Sequence, residues 1–165
     1  STAPKVVGIF RKPVFPVVER PEGITLLLDD IQDPGNLGTI VRTADWFGVR
    51  RIVCSPRTAD LFNPKVVQST MGSIARVEVL YRDLMLYLDL HPGIPLFATV
   101  LDGEPLDQQK KIAEGNILIG NESRGIRKEL VDRTHHRIRI PGHGSAESLN
   151  VAVAAGIVLF LIQKS

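Results

Sequence analysis

Short, almost wholly apolar runs recur along this chain, and each gives way to a stretch with helical spacing. Thr25–Leu28 is one such run, bounded by Gly23 and the acidic pair Asp29–Asp30. After it, Leu37, Ile40, Val41, Ala44 and Phe47 share a helical face, and Gly48 is placed to end that helix. Arg51–Cys54 reads as a strand, and Asn63–Pro64 as an N-cap followed by proline in the first turn. The pattern continues with Val77–Tyr81 as strand, Asp83–Leu90 as helix, and Leu96–Val100 and Asn116–Ile119 as strands. Arg127–Arg133 then reads as helix, Arg137–Ile140 as strand and Leu149–Gln163 as the last helix. Strands this apolar are covered on both faces. The alternation therefore predicts an α/β fold, a mostly parallel sheet with helices on both faces.

The 165 residues, 44% hydrophobic and 23% charged, suit one domain around one core. That domain is expected over 24–165. Residues Ser1–Gly23 read as an arm or linker, the tail of a substrate-binding domain in a longer protein: Pro4, Pro13, Pro16 and Pro21 interrupt them, and the chain opens on Ser1 rather than methionine. Val6–Phe10 and Val14–Val18 within the arm suit extended edge segments. A net charge of +2 permits a nucleic-acid partner without demanding one. The single cysteine, Cys54, falls in an apolar run, excludes an intramolecular disulfide and suits a reducing cytosol. Leu149–Ile162 is shorter than the roughly 20 residues that span a bilayer, and no leader pattern opens the chain. A cytoplasmic protein without a membrane partner is the expectation.

Several chemistries lack their signatures. No G-x-G-x-x-G follows a strand and no G-x-x-x-x-G-K-[ST] occurs, which sets aside dinucleotide and P-loop sites. His135 and His136 are adjacent, so on a strand they point oppositely, and no metal is expected. There is no G-x-S-x-G elbow, and Ser145 and Ser148 have no evident base.

Three segments carry more information. In the first, a strand, an Asp33-Pro34-Gly35 turn and a helix opened by Asn36 carry Arg42, away from the apolar face. Asn36 reads as the cap of that helix, and Arg42 as either a solvated partner of Asp45 or a site residue. In the second, Gly120 and Gly125 bracket Glu122 directly after a buried strand, where backbone can approach a ligand closely. The third runs from Ile140 through a Pro141–Ser148 loop to Leu149 and Asn150, then a helix apolar nearly all round. Its small residues Ala152, Ala154, Ala155 and Gly156 suit close packing against another element or subunit.

Together and in this order, the segments resemble the three motifs of the SpoU (TrmH-type) branch of the SPOUT RNA methyltransferases, over Ile24 to about Gln163. The resemblance implies methyl transfer from S-adenosylmethionine to a ribose 2′-hydroxyl of tRNA or rRNA. It also implies a C-terminal trefoil knot and a homodimer with its sites at the subunit interface. Asn36 and Arg42 match motif one, Glu122 motif two, and Ser148 and Asn150 motif three. Thr99, Gly120, Ile140, Leu149 and Asn150 match positions that hold the cofactor. RNA is expected across Arg42, Arg124, Arg127 and Lys128. One departure stands out: Gly142 and His143 follow Pro141 where the family usually has methionine. A Gly142–Gly144 loop that orders with cofactor is the expectation. Two other readings are weighed: a catalytically silent RNA-binding module of the same fold, and a methyltransferase acting on a base nitrogen. The complete set of motif residues disfavours the first, and the Asn/Arg motif one disfavours the second.

A ribose hydroxyl is a poor nucleophile until its proton leaves. The family's motif-one arginine is proposed to take that proton, but a guanidinium holds its own tenaciously. Arg42 is therefore read as a fixed cation that binds phosphate and stabilises developing alkoxide charge, with Asn36, Glu122 and Ser148 orienting it and the ribose.

Overall fold

A computed structural model describes residues 8–9, 11–15, 21–108 and 111–163 of the chain. Its strands are β1 (Ile24–Leu28), β2 (Arg51–Cys54), β3 (Glu78–Tyr81), β4 (Leu96–Pro105), β5 (Gly115–Ile119) and β6 (His136–Arg139). Its α-helices are α1 (Pro34–Trp46), α2 (Pro64–Thr70), α3 (Leu84–Leu90), α4 (Lys128–Val131) and α5 (Val151–Gln163). The six strands form one sheet in the order β3-β2-β1-β5-β4-β6, and every pairing is parallel.

Side-chain alternation along the strands divides the core in two. Leu26, Leu28, Ile52, Cys54, Ile117 and Ile119 face α1, α2 and α5. Leu27, Val53 and Leu118 point the other way, against Leu84, Tyr87 and Leu88 of α3 and Leu130 of α4. Helices thus cover both faces, as the apolar runs required. Each fully buried Leu or Ile contributes about 1.5–3 kcal/mol. A one-residue slip of β1 would exchange its two faces and lose both packings.

The predicted elements are present, with informative differences. Asp33, not Asn36, caps α1: its Oδ1 accepts the Asn36 N–H at 2.8 Å, and Pro34 occupies the first turn. Gly48 follows α1 with φ +72°, in keeping with its placement. Asn63 caps α2 by accepting the Lys65 N–H. Strand β4 continues to Pro105 because the chain bulges between Thr99 and Glu104 and rejoins β6. The last helix starts at Val151, with Asn150 Oδ1 accepting the N–H groups of Ala152 and Val153.

Of the arm, Val6, Val7, Phe10 and 16–20 lie outside the described residues. The described part places the Lys12 ammonium 4.0 Å from the centre of the Phe62 ring. Cys54 is buried, and desolvation pushes its thiol up to about 12. Among the described residues, no helix is long and apolar enough to cross a membrane, and no group of three His, Cys, Asp or Glu could hold a metal ion.

Candidate functional site

In an all-parallel sheet the carboxyl ends of the strands share one edge, so the segments that follow β1, β4, β5 and β6 converge there. The three sequence segments meet at that edge through two side-chain hydrogen bonds. Asn36 Nδ2 donates to Glu122 Oε1 at 2.7 Å, and Asn150 Nδ2 donates to Asn36 Oδ1 at 3.0 Å. The three residues are far apart in the chain, and the bonds fix the orientation of each amide. Asn36 sits in the first turn of α1 because Asp33 starts the helix just before it. That helix-start N–H holds the Asp33 carboxyl below its usual range, with Lys65 adding to the effect.

Glu122 is positioned by a turn tied at many points. Asn121 Oδ1 accepts from the N–H groups of Ser123 and Arg124, and its Nδ2 donates to the Asp30 carbonyl. Asn121 and Gly125 also exchange backbone hydrogen bonds. The reversal brings Gly125 and Ile126 backbone onto Gly120, where a Cβ would collide with both. Gly120 is thus required by the turn itself.

Below the turn, Asp29 is only 1% exposed. Its oxygens accept from the Arg127 backbone N–H at 2.9 Å and from Arg127 Nε at 2.8 Å. Burial works against the Arg127 charge, and the bond to Asp29 overcomes it, leaving the guanidinium pKa raised. Asp30 adopts a positive φ of 58°, secured by Ser55: its N–H donates to Ser55 Oγ, which in turn donates to Asp30 Oδ1. This acidic pair is not among the residues expected at the site from sequence. Its signal there is two consecutive carboxylates directly after a buried strand.

The remaining expected residues are placed as follows. Arg42 is exposed on α1 and makes no hydrogen bond or ion pair among the described residues; Asp45 instead pairs with Arg76 and Ser73. Six residues of helix put Arg42 about 9 Å beyond Asn36 along the axis. Ser148 lies on exposed chain and makes no hydrogen bond among the described residues. Arg124 is exposed without an ion pair, whereas Lys128 is held by Asp132 at 2.6 Å.

Strands β5, β4 and β6 are neighbours; Gly120 and Ile140 follow the ends of β5 and β6, and Thr99 lies where β4 begins its bulge between them. Thr99 Oγ1 donates to the Leu118 carbonyl, binding β4 to β5 just below that edge. Ile140 is half-buried and Leu149 exposed, and Gly142 and Gly144 face open space.

The model of the SpoU rRNA Methylase family matches residues 23–160. The chain belongs to that family. This SpoU-family chain is 40% identical over 138 residues to a 23S rRNA (guanosine(2553)-2′-O)-methyltransferase of Bacillus subtilis, covering 82% of the chain and 56% of the relative. A 23S rRNA (guanosine-2′-O-)-methyltransferase of Coxiella burnetii is 33% identical over 147 residues, covering 86% and 58%. Among solved structures, the AdoMet-bound rRNA methyltransferase of Sinorhizobium meliloti superposes with a TM-score of 0.81 at 35% identity, covering 88% of this chain and 57% of that one. The SpoU methyltransferase AviRb of Streptomyces viridochromogenes, in complex with AdoMet, gives 0.78 at 28% identity, covering 92% and 59%. The chain spans a little more than half the length of these relatives.

Proposed function

We propose that this SpoU-family domain transfers a methyl group from S-adenosylmethionine to a ribose 2′-hydroxyl of ribosomal or transfer RNA. The hydrogen-bonded chain Glu122–Asn36–Asn150 carries the reading, because it joins one residue from each motif at the carboxyl edge of the sheet. The ends of β5 and β6, with the bulge of β4 between them, suit the cofactor. Half-buried Ile140 and exposed Leu149 offer apolar surface, and the open Gly142–Gly144 segment leaves room above it. When bound there, the cofactor would supply an electrophilic methyl group for the 2′-oxygen, its sulfur leaving as the neutral thioether.

The protein's part is alignment and charge. Asn36 and Asn150 hold fixed amides, and Glu122 accepts from Asn36 with one oxygen while the other stays available to the ribose. Arg42, unpaired within the described chain, binds a backbone phosphate and stabilises charge on the 2′-oxygen as its proton leaves to water. Ser148, on the loop, joins the site as that loop orders. The reaction takes place in the cytoplasm, where such RNA is found.

The functional unit in this reading is a homodimer. Helices α1 and α5 run side by side, with Asn150 at Asn36, Gly156 beside Thr43 and Gln163 bonded to the Phe47 carbonyl. Both helices expose large apolar side chains, Trp46 at 85% on α1 and Val153 and Phe160 at 52% and 59% on α5, with Arg42 one turn from Trp46. A second copy on this face would cover these side chains and put Arg42 at the seam. The C-terminal knot belongs to the same reading, supported by the return of α5 to the first helix and to Ile112, whose N–H bonds the Ile162 carbonyl.

Incubation with methyl-labelled cofactor and total ribosomal and transfer RNA, followed by nucleoside analysis, tests the activity. The expected product is a 2′-O-methyl nucleoside; label on a base, or none, overturns the reading. Arg42→Ala should lower transfer at least about 10³-fold while cofactor affinity, read by calorimetry, stays within about twofold. Arg42→Lys keeps charge but loses the planar fork, so near-normal turnover there would refute bidentate positioning.

A further inference from the structure

The strand order reverses direction at the centre of the sheet. From β1 the chain proceeds outward through β2 and β3, whereas β5, on the other side of β1, leads toward β4 and β6. The helix after β1 packs on one face of the sheet and the helix after β5 on the other. Between two such connections a crevice opens above the strand ends, the usual ligand site of an open α/β sheet. The cofactor edge proposed above lies further along, over β5, β4 and β6. The crevice over β1 is a separate place.

It is built, and it is basic. Its floor is the buried pair Asp29–Asp30, and its walls carry Arg57 from the loop after β2 and Arg124, Arg127 and Lys128 from the segment after β5. Four cations stand over two carboxylates. They are not equivalent. Arg127 is committed to Asp29, and Lys128 to Asp132. Arg124 has no ion-pair partner among the described residues, and Arg57 reaches Asp30 only at 3.5 Å while its side chain is 62% exposed. The positive φ of Asp30 adds a second sign, since such backbone persists where surrounding bonds hold it for a purpose.

We infer that this crevice is a phosphodiester subsite for the RNA, with Arg57 and Arg124 closing on one backbone phosphate from opposite walls. The inference rests on the RNA methyltransferase reading and extends it to Arg57, which no motif contains. The 120–127 turn then serves two purposes. Its Glu122 side joins Asn36, and its Arg124 side faces the crevice, so the phosphate is gripped by the same rigid turn that positions the site. Two planar guanidiniums hold a phosphate with directed, charge-assisted bonds, and Asp29 keeps the Arg127 wall from collapsing into the space.

The test measures binding of a fluorescein-labelled, mixed-sequence 20-nucleotide single-stranded RNA across a salt series, by anisotropy, with the chain as given. The Arg57→Gln/Arg124→Gln double variant is expected to bind roughly tenfold more weakly, with a log–log salt slope shallower by about 0.7 for each phosphate no longer neutralised. Calorimetry with S-adenosylmethionine should give an unchanged affinity, showing an intact fold. Arg50→Gln removes an exposed charge at the opposite edge of the sheet and should leave RNA affinity within about twofold. Unchanged affinity and slope in the double variant would overturn the inference. So would an equal loss from Arg50→Gln, which would mean diffuse attraction rather than a built subsite. Binding alone decides the crevice; methyl transfer by the wild type decides the activity, so either reading can fail without the other.

Discussion

Two strand-to-helix connections on the same edge of the sheet are built in opposite ways. The turn after β5 is bound at nearly every residue: Asn121 to three backbone groups, Glu122 to Asn36, Arg127 twice to Asp29. The segment after β6 makes no hydrogen bond from 141 to 149 among the described residues, and most of it is exposed. The first is organised before any ligand arrives, so it can orient reacting groups without paying an ordering cost at that moment. The second has few contacts of its own, so ordering on ligand binding is what the cofactor reading predicts for it. A hydrogen-bonded turn thus stands beside a loop with few contacts of its own.

The largest break in this contrast should come from the rigid side. Glu122→Ala leaves Asn36 Nδ2 without its acceptor, and transfer should fall about 10²-fold with KM for the cofactor little changed. A loss confined to KM would show that Glu122 binds rather than orients. Next comes Arg127→Ala, which strands buried Asp29. Thermal or urea unfolding should show a loss of about 3 kcal/mol, the low end for breaking a buried pair, since Arg127 is partly exposed. Gly120→Ala, which forces a Cβ into the Gly125 backbone, should cost about 1–3 kcal/mol, whereas Gly142→Ala, in open space, should change stability by under about 0.5 kcal/mol. Equal costs would erase the distinction between the two connections. The adaptable side is read by hydrogen exchange at Gly142–Gly144 with and without S-adenosylmethionine; slowing on addition is expected, and unchanged exchange would refute ordering by cofactor.

The smallest effect concerns the cap of α1. The folded-state pKa of Asp33 is lowered, so its contribution is fully present above the unfolded value of 3.8 and fades as pH falls through the lower folded value. Wild type should exceed Asp33→Ala by about 1 kcal/mol near neutrality, and the gap should close only below about pH 4. A gap independent of pH would mean the carboxylate is not the cap.

Much of this is legible in residue order. The apolar runs locate β1 to β5, and Asn36, Glu122 and Asn150, picked out by family resemblance, do meet. Local pattern does not reveal what they meet through. A bond such as Asn36–Glu122 spans 86 residues, and no spacing rule encodes it. Asn36 reads as a cap for a related reason: Asp33, Pro34 and Asn36 all suit a helix start, and only geometry ranks them. The extension of β4 is hidden because its bulge interrupts the apolar run. Arg57 carries no signal at all, since its meaning depends on a turn far along the chain, at Arg124.

The bond between Asn150 and Asn36 also sets a schedule. Those residues are separated by 114 positions, so at synthesis rates of about 5–20 residues per second Asn36 waits roughly 6–23 s before its partner is even polymerised. A nascent chain thus carries motif one, and much of the sheet, well before it owns a complete site. Competence arrives only with the final helix, whose first turn Asn150 also caps. Unfinished chains therefore lack the Glu122–Asn36–Asn150 constellation altogether.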